Sequence, residues 1–583
     1  MARFRTILFF SLGWIPALGL AQYVNVSDEL ELYTDHTAGY LGLGVSVVDF
    51  NGDGIDDLSF CHHNGNLHFY TGNGAGAFQV ANLGLDNDGA DAKSISWVDL
   101  DNDGDQDLFI TNRLATNRLW RNDGDGTYTD ITEESGLNTE NRKSYSASFA
   151  DYDNDGDLDL FVANYNATMT EMLNELYANN GDGTFTETTF TAGFAQDVKQ
   201  SFIGEWTDFN EDGFLDLYVI RDRNAYLNLY YENQGDGTFL EVGSERGLDI
   251  GINAMCSAIG DYNRDGAMDV FVAALQNENT LLTNDGTGNF EDLGSDAFDI
   301  WHTCWSGTWV DWDNDGWQEL HVATGTSQYT DYPTILTEIQ QIADSMFAYV
   351  DGEWSAIENS GLAAEHSFSI AATDLNGDGF QDLVSCPIGS EASVYFATPN
   401  DNHYLRIKGE GVVSNRDAIG VKFRLYVDGE VLYRLSKSGE AYLTQGSRWQ
   451  HFGLGAAEVA DSLVVTWPTG QTDVYFDLPA NSSLIIEEGN LEWICFDGTC
   501  EELSTTGCTY AAALNFSANA IEDDGSCIFG ATPVSCGAGT VWDEASSTCI
   551  PDDSCPADVN GDNFVGIADL LDLLESFASE CPQ

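Results

Sequence analysis

Short runs of alternating apolar and polar residues recur between residues 23 and 400, each broken by a burst of Asp, Asn and Gly. The residue two places before the first Asp of each burst is Val47, Trp97, Phe149, Trp206, Ile259, Trp309 or Ala372, and the residue four places before is mostly small. That period of two predicts a strand with a buried face. After the bursts come "DLSF", "DLFITN", "DLFVAN", "DLYVI", "DVFVAA", "ELHVAT" and "DLVSC", whose β-branched and aromatic content predicts a second strand. Farther on, "NDGDGTYTD", "NNGDGTFTE", "NQGDGTFLE" and "NDGTGNFED" predict a hairpin turn into a last strand.

The bursts begin at Asp49, Asp99, Asp151, Asp208, Asp261, Asp311 and Asp374, with spacings of 50, 52, 57, 53, 50 and 63 residues. Such a period suits one four-stranded blade per copy, so the pattern predicts an all-β fold with a seven-bladed β-propeller over residues 22–400. The last blade lacks a fourth strand of its own, and the early segment "YVNVSDELELY" is placed to supply it and close the ring.

Each burst carries oxygen-bearing side chains at positions 1, 3, 5 and 9, with glycine at 6. They are Asp49, Asn51, Asp53 and Asp57; Asp99, Asp101, Asp103 and Asp107; Asp151, Asp153, Asp155 and Asp159; Asp208, Asn210, Asp212 and Asp216. The last three copies give Asp261, Asn263, Asp265 and Asp269; Asp311, Asp313, Asp315 and Glu319; Asp374, Asn376, Asp378 and Asp382. A calcium ion takes six to eight oxygens at about 2.3–2.6 Å, and positions 1, 3 and 5 with a carbonyl at 7 and an acid at 9 can supply them. Magnesium holds its waters and zinc prefers Cys or His, so calcium is the expected ion, about seven in the propeller. A simple polar turn would also favour Asp, Asn and Gly but has no need of an acid at position 9. These copies resemble the FG-GAP/VCBS calcium-binding repeats of integrin-type β-propellers, a likeness covering roughly residues 23 to 400.

Residues 401–490 lose the acidic motif and gain basic residues, and their alternation predicts a small β domain. "NRDAIGVKFRLYVDGEVLYRLSKSGEAYLTQGS", "HFGLG" and "DSLVVTWPTGQ" resemble the ASPIC/UnbV domain that follows such propellers in the cartilage acidic protein-like family. Its His451 has no nucleophile partner and is expected to be structural.

Seven of the 12 cysteines lie in the cysteine-rich modules at 491–556, which predicts disulfide-stapled units. They resemble repeats of secreted bacterial proteins. The C-terminal unit, residues 557–583, puts Asp558, Asn560, Asp562 and Asp569 at positions 1, 3, 5 and 12 of another calcium loop ahead of an apolar helical stretch. It resembles half a dockerin, leaving open a cohesin-like partner or a calcium-stapled cap.

Residues 1–21 pair two arginines with a short apolar run and small residues near Ala21, the pattern of a secretory signal peptide, so an extracellular or cell-surface location is expected. No later segment reads as a membrane span. With 96 Asp and Glu against 21 Lys and Arg, the chain would repel nucleic acid and anionic membranes and attract cations. The expected function is a non-enzymatic calcium-binding scaffold for an extracellular protein or glycan ligand. The competing expectation is a polysaccharide-processing protein, with Arg113, Arg118, Arg121, Arg221 and Arg223 as candidate substrate-binding cations, although ion pairing with the acidic surface suits them as well.

Overall fold

The computed structural model describes residues 22–36, 39–166, 172–194, 200–275, 277–295, 298, 300–325, 342–350, 352–496 and 500, with the backbone of four short strands beyond. The alternating segments form seven consecutive antiparallel sheets, each holding one acidic loop between its first two strands. The first strands are Val45–Val47, Ala92–Val98, Ser144–Ala150, Ser201–Thr207, Ala254–Gly260, Thr303–Val310 and Ser367–Thr373. They touch one another in chain order, and the last meets the first, so the sheets close into a ring. Six of the seven carry a register shift, a bulge that raises the local twist.

Closure uses both ends of the repeat region. Tyr23–Asn25 pairs antiparallel with Ser393–Ala397, Tyr23 standing opposite Ala397. The early segment thus supplies the outer strand that the last sheet lacks, and its edge is covered. The apolar positions pack between sheets: Trp97 is fully buried against Phe50 and Phe69, and Tyr152 against Trp206 and Phe239. Trp305 is fully buried and Trp309 nearly so, as blade packing requires, whereas Trp301 is exposed.

Residues 403 to 495 add two four-stranded sheets, face to face around Leu405, Phe423, Leu463 and Trp467. One departure from the sequence reading concerns residues 436 to 450. Alternation places them in this second domain, yet Thr444–Gln445 pairs in parallel with Val45 and Ser46 of the first blade. Tyr442 reaches the ring's centre, its hydroxyl donating to the Leu41 carbonyl at 2.7 Å and its ring lying 5.4 Å from Phe202 and 5.3 Å from Trp305. The Tyr442 N–H also donates to the Ser306 hydroxyl at 3.2 Å, so this segment lies against the first strands of several blades.

Residues 501–583 form a separate unit, in which Thr506–Gly507 pairs with Glu522–Asp523 and Thr540–Asp543 with Thr548–Pro551. A disulfide joins Cys495 and Cys500. The expected signal peptide, most of the cysteine-rich segment, and the loop with Asp558, Asn560, Asp562 and Asp569 lie outside the described residues. Among the described residues no helix is long and apolar enough to cross a membrane.

Candidate metal centres

The acidic loops share one geometry. The position-1 carboxylate turns inward, and its Oδ2 accepts the N–H of the position-6 glycine at 2.6 to 3.0 Å in Asp49, Asp99, Asp151, Asp208, Asp261, Asp311 and Asp374. That glycine has φ between 84° and 98° in every copy, left-handed backbone that a Cβ would oppose. The position-9 carboxylate ties the loop to its sheet: Asp107 accepts the N–H of Leu100 at 3.1 Å and of Asn122 at 2.8 Å, and Asp382 those of Leu375 and Ala397 at 2.9 Å each. Position 9 therefore has a structural duty that its place in a ligand set does not reveal.

Three loops gather acidic oxygens within 4.8 Å of one another: Asp99 with Asp101 and Asp103, Asp151 with Asp153 and Asp159, and Asp311 with Asp313 and Asp315. In the copies with Asn51, Asn210, Asn263 and Asn376 the third position offers an amide oxygen, and in each it accepts the position-5 N–H. The hydrogen bonds make each loop a self-supporting turn. They do not account for three buried carboxylate oxygens with no partner, Asp101 Oδ1, Asp269 Oδ2 and Asp311 Oδ1. Asp311 is fully buried, and burial with the neighbouring charges of Asp315 and Asp313 pushes its carboxyl up to about 8 against the pull of Arg434. Burial similarly raises Asp99 and Asp151 to about 7. Like charges held together out of water, with orphaned lone pairs, fit a hard cation that prefers oxygen ligands.

Sequence reasoning missed position 4. It has positive φ in all copies, whether Gly52 and Gly377 or Asn102, Asn154, Glu211, Arg264 and Asn314. The Asn102 amide donates to the Gly156 carbonyl and Asn154 to Gly213, both at 3.1 Å, and Asn314 donates to Gly379 at 2.9 Å. Each links its loop to the next one round the ring. The signal in the sequence is Gly or Asn at that position in most copies, residues that tolerate left-handed backbone.

Six of the seven motif copies, from Asp49 to Asp311, fall within stretches that match a known repeat family. An FG-GAP-like repeat family matches residues 49–110, 99–162, 151–201, 208–272 and 261–322, and the family described as ASPIC and UnbV matches 411–492. The chain carries FG-GAP-like repeats followed by an ASPIC and UnbV domain. It is 28% identical over 266 residues to cartilage acidic protein 1 of Xenopus tropicalis, and 28% over 269 residues to that of Homo sapiens. These alignments take in 43% of this chain, 40% of the Xenopus protein and 39% of the human one, so the chain spans about two fifths of the length of the curated relatives it matches. Among solved structures it aligns with BBS1N in complex with ARL6DN, at 9% identity and a TM-score of 0.39 over 65% of this chain and 97% of that one. It also aligns with the rhamnogalacturonan lyase PL11 of Bacillus licheniformis, at 14% and 0.35 over 65% and 76%.

The ASPIC and UnbV domain sits on the face of the repeats that carries the acidic loops. Gly453 N–H donates to Asp311 Oδ2 at 3.1 Å, and His451 Nε2 lies 2.6 Å from Asn314 Oδ1. His451 is buried, and its ring is held below its ordinary pKa by burial and by Arg406 and Arg434, a packed histidine rather than a proton carrier. The backbone N–H of Arg416 donates to Asn102 Oδ1 at 2.9 Å, and the amides of Asn400 and Asn402 to the Asp313 carbonyl. The five arginines weighed as substrate-binding cations are all engaged. Arg113 pairs with Asp91 at 2.5 Å, Arg118 with Asp130 at 2.7 Å and with Asp88, and Arg121 with Asp123 at 2.9 Å. Arg223 pairs with Asp222 at 3.3 Å, and Arg221 donates to the Leu227 carbonyl.

Proposed function

We propose that this protein is a secreted, calcium-binding, non-enzymatic scaffold that presents a rigid propeller to an extracellular protein or glycan. The observation that carries the metal reading is the fully buried Asp311, whose Oδ1 has no donor while Asp313 and Asp315 stand beside it. A carboxylate in that setting needs a cation or a proton. The residues that would hold calcium are the side chains at positions 1, 3, 5 and 9 of each loop and, in the C-terminal unit, Asp558, Asn560, Asp562 and Asp569.

The scaffold reading draws support from what occupies each face. Residues 436 to 450 fill the ring's centre and the ASPIC and UnbV domain covers the acidic loops. The opposite face carries the second-to-third strand connections, where Leu114 and Leu227 are exposed, and the connection bearing the exposed Trp301. Exposed apolar side chains on loops held by a stiff ring suit recognition. The ion pairs of Arg113, Arg118, Arg121 and Arg223 with neighbouring acids favour the scaffold reading over a lyase that would use those arginines to hold a substrate carboxylate.

The test is thermal unfolding of the full chain in EGTA and in millimolar calcium, with elemental analysis of the purified protein. Calcium is expected to raise the melting temperature, since ligand bound only by the folded state adds roughly 2.7 kcal/mol per site at a hundredfold excess over Kd. An unchanged melting temperature together with metal content near zero refutes the metal reading. Arrays of glycans and matrix proteins, probed with and without calcium, test the scaffold reading; turnover of a polysaccharide would refute it.

A further inference from the structure

Eight of the chain's 21 Lys and Arg lie between residues 401 and 490, the stretch that docks on the acidic loops. Three of them approach the first carboxylate of a loop, and all three approach the same oxygen. Lys422 Nζ donates to Asp208 Oδ2 at 2.7 Å, and Arg406 Nη1 to Asp374 Oδ2 at 3.1 Å. Arg416 Nε lies 4.0 Å from Asp99 Oδ2. In each case Oδ2 is the oxygen already committed to the glycine N–H, which leaves Oδ1 to the loop. Lys422 also donates to Glu211 at 3.0 Å, but Arg424 pairs with that carboxylate at 2.9 Å, so those two charges offset each other and Lys422 faces the loop.

We propose that the ASPIC and UnbV domain supplies standing counter-charges to the acidic loops, so that its basic side chains and a divalent cation substitute for one another in balancing the same carboxylates. The proposal rests on the calcium reading above. With Glu211 balanced by Arg424, the carboxylates of Asp208, Asp212 and Asp216 carry −3 when all three are ionised; Lys422 brings this to −2, and a dication to 0. Without Lys422 the corresponding values are −3 and −1. Self-repulsion grows faster than linearly with net charge, so the loss of Lys422 is felt more strongly when the cation is absent. The docked domain thus keeps the ring folded at low cation concentration and, for the same reason, weakens cation binding at the loops it touches.

The test compares the full chain with Lys422→Gln, which keeps a donor and removes the charge, and with Arg416→Gln. The Arg416 side chain is 53% exposed, so the second variant folds without repacking. Thermal unfolding in EGTA and in millimolar calcium, with calorimetric calcium titration, gives the readouts. Lys422→Gln is expected to lose more melting temperature in EGTA than in calcium, and to tighten one calcium site by about fivefold or more. Arg416→Gln is expected to act in the same direction with a smaller shift, and it decides the matter alone if Lys422→Gln does not fold. Equal losses in both conditions, or a smaller calcium response than the wild type, would overturn the proposal and make these contacts plain struts. A wild type that gains no stability from calcium and binds none refutes the calcium reading instead, and this inference with it.

Discussion

Gln445 holds the backbone of Trp97 from both sides. Its Oε1 accepts the Trp97 N–H at 2.8 Å, and its Nε2 donates to the Trp97 carbonyl at 2.7 Å. One amide side chain, 348 residues along the chain, thus takes the place of a neighbouring strand, and the Ser46 hydroxyl donates to the same Oε1 at 2.7 Å. Arg448 adds a second donor to the Trp97 carbonyl at 2.9 Å.

Replacing Gln445 with Leu therefore strands the buried Trp97 N–H and the Ser46 hydroxyl, while the carbonyl keeps Arg448. The expected cost is about 2 to 4 kcal/mol, because an unsatisfied buried group loses its full hydration. A urea titration of the full chain checks this; a midpoint within error of the wild type would mean that the central segment detaches without consequence.

Glu488 sets a pH response in the ASPIC and UnbV domain. Burial alone would push its carboxyl up, but the N–H groups of Val412, Val413 and Ser414 donate to it at 2.9, 2.7 and 2.8 Å, and the hydroxyls of Ser414 and Thr469 add two more bonds. The donors prevail, and its pKa lies below the ordinary glutamate value. A depressed folded-state pKa contributes stability that is present above the unfolded value of about 4.5 and disappears as pH falls through the folded value. The wild type is expected to lose stability on acidification below about pH 4.5 more steeply than Glu488→Gln, which has no charge to lose. Parallel melting curves for the two proteins between pH 3 and 6 would show that this carboxylate contributes nothing.

Gly193 is fixed by its neighbour in the next blade. Its φ is 91°, and a Cβ there would lie 2.7 Å from the Phe239 carbonyl oxygen, while Phe239 N–H donates to the Ala192 carbonyl at 2.8 Å. Gly136 and Gly247 meet the carbonyls of Phe185 and Phe290 in the same way. Gly193→Ala is expected to destabilise by about 3 kcal/mol or more, strain and clash combined. Gly237→Ala, at φ 78° with open space around it, is expected to cost about 1–2 kcal/mol, the left-handed term alone. Equal costs for the two, measured by urea unfolding, would remove the blade contact from the explanation.

Cys256, Cys304 and Cys386 are buried free thiols on propeller strands, and Cys61 is another just past the strand Leu58–Phe60. Burial pushes Cys61 and Cys304 up to about 12 and raises the other two as well. Since the thiolate is the nucleophile, iodoacetamide at pH 8 is expected to leave all four unmodified in the native protein and to label all four in guanidinium. Peptide mass spectrometry reads this directly, and native labelling of any of them would mean that the strands open.

The ring, its loops and its closing strand were legible because they are written in local patterns. A period of two fixes which face of a strand is buried, and glycine at position 6 marks a backbone conformation that few other residues adopt. Repetition then multiplies a weak signal sevenfold. Even the closing strand near Tyr23 followed from counting strands, although its register against Ala397 did not. What the tertiary structure alone decided concerns partners distant in sequence. No periodicity tells that Gln445 will mimic a strand beside Trp97, that Tyr442 will reach Leu41, or that Lys422 will stand on Asp208. The physical reason is that a buried backbone group or carboxylate requires a donor or a counter-charge, but any sufficiently close part of the chain can provide it. The requirement is encoded locally, whereas the provider is chosen by how the second domain packs on the first.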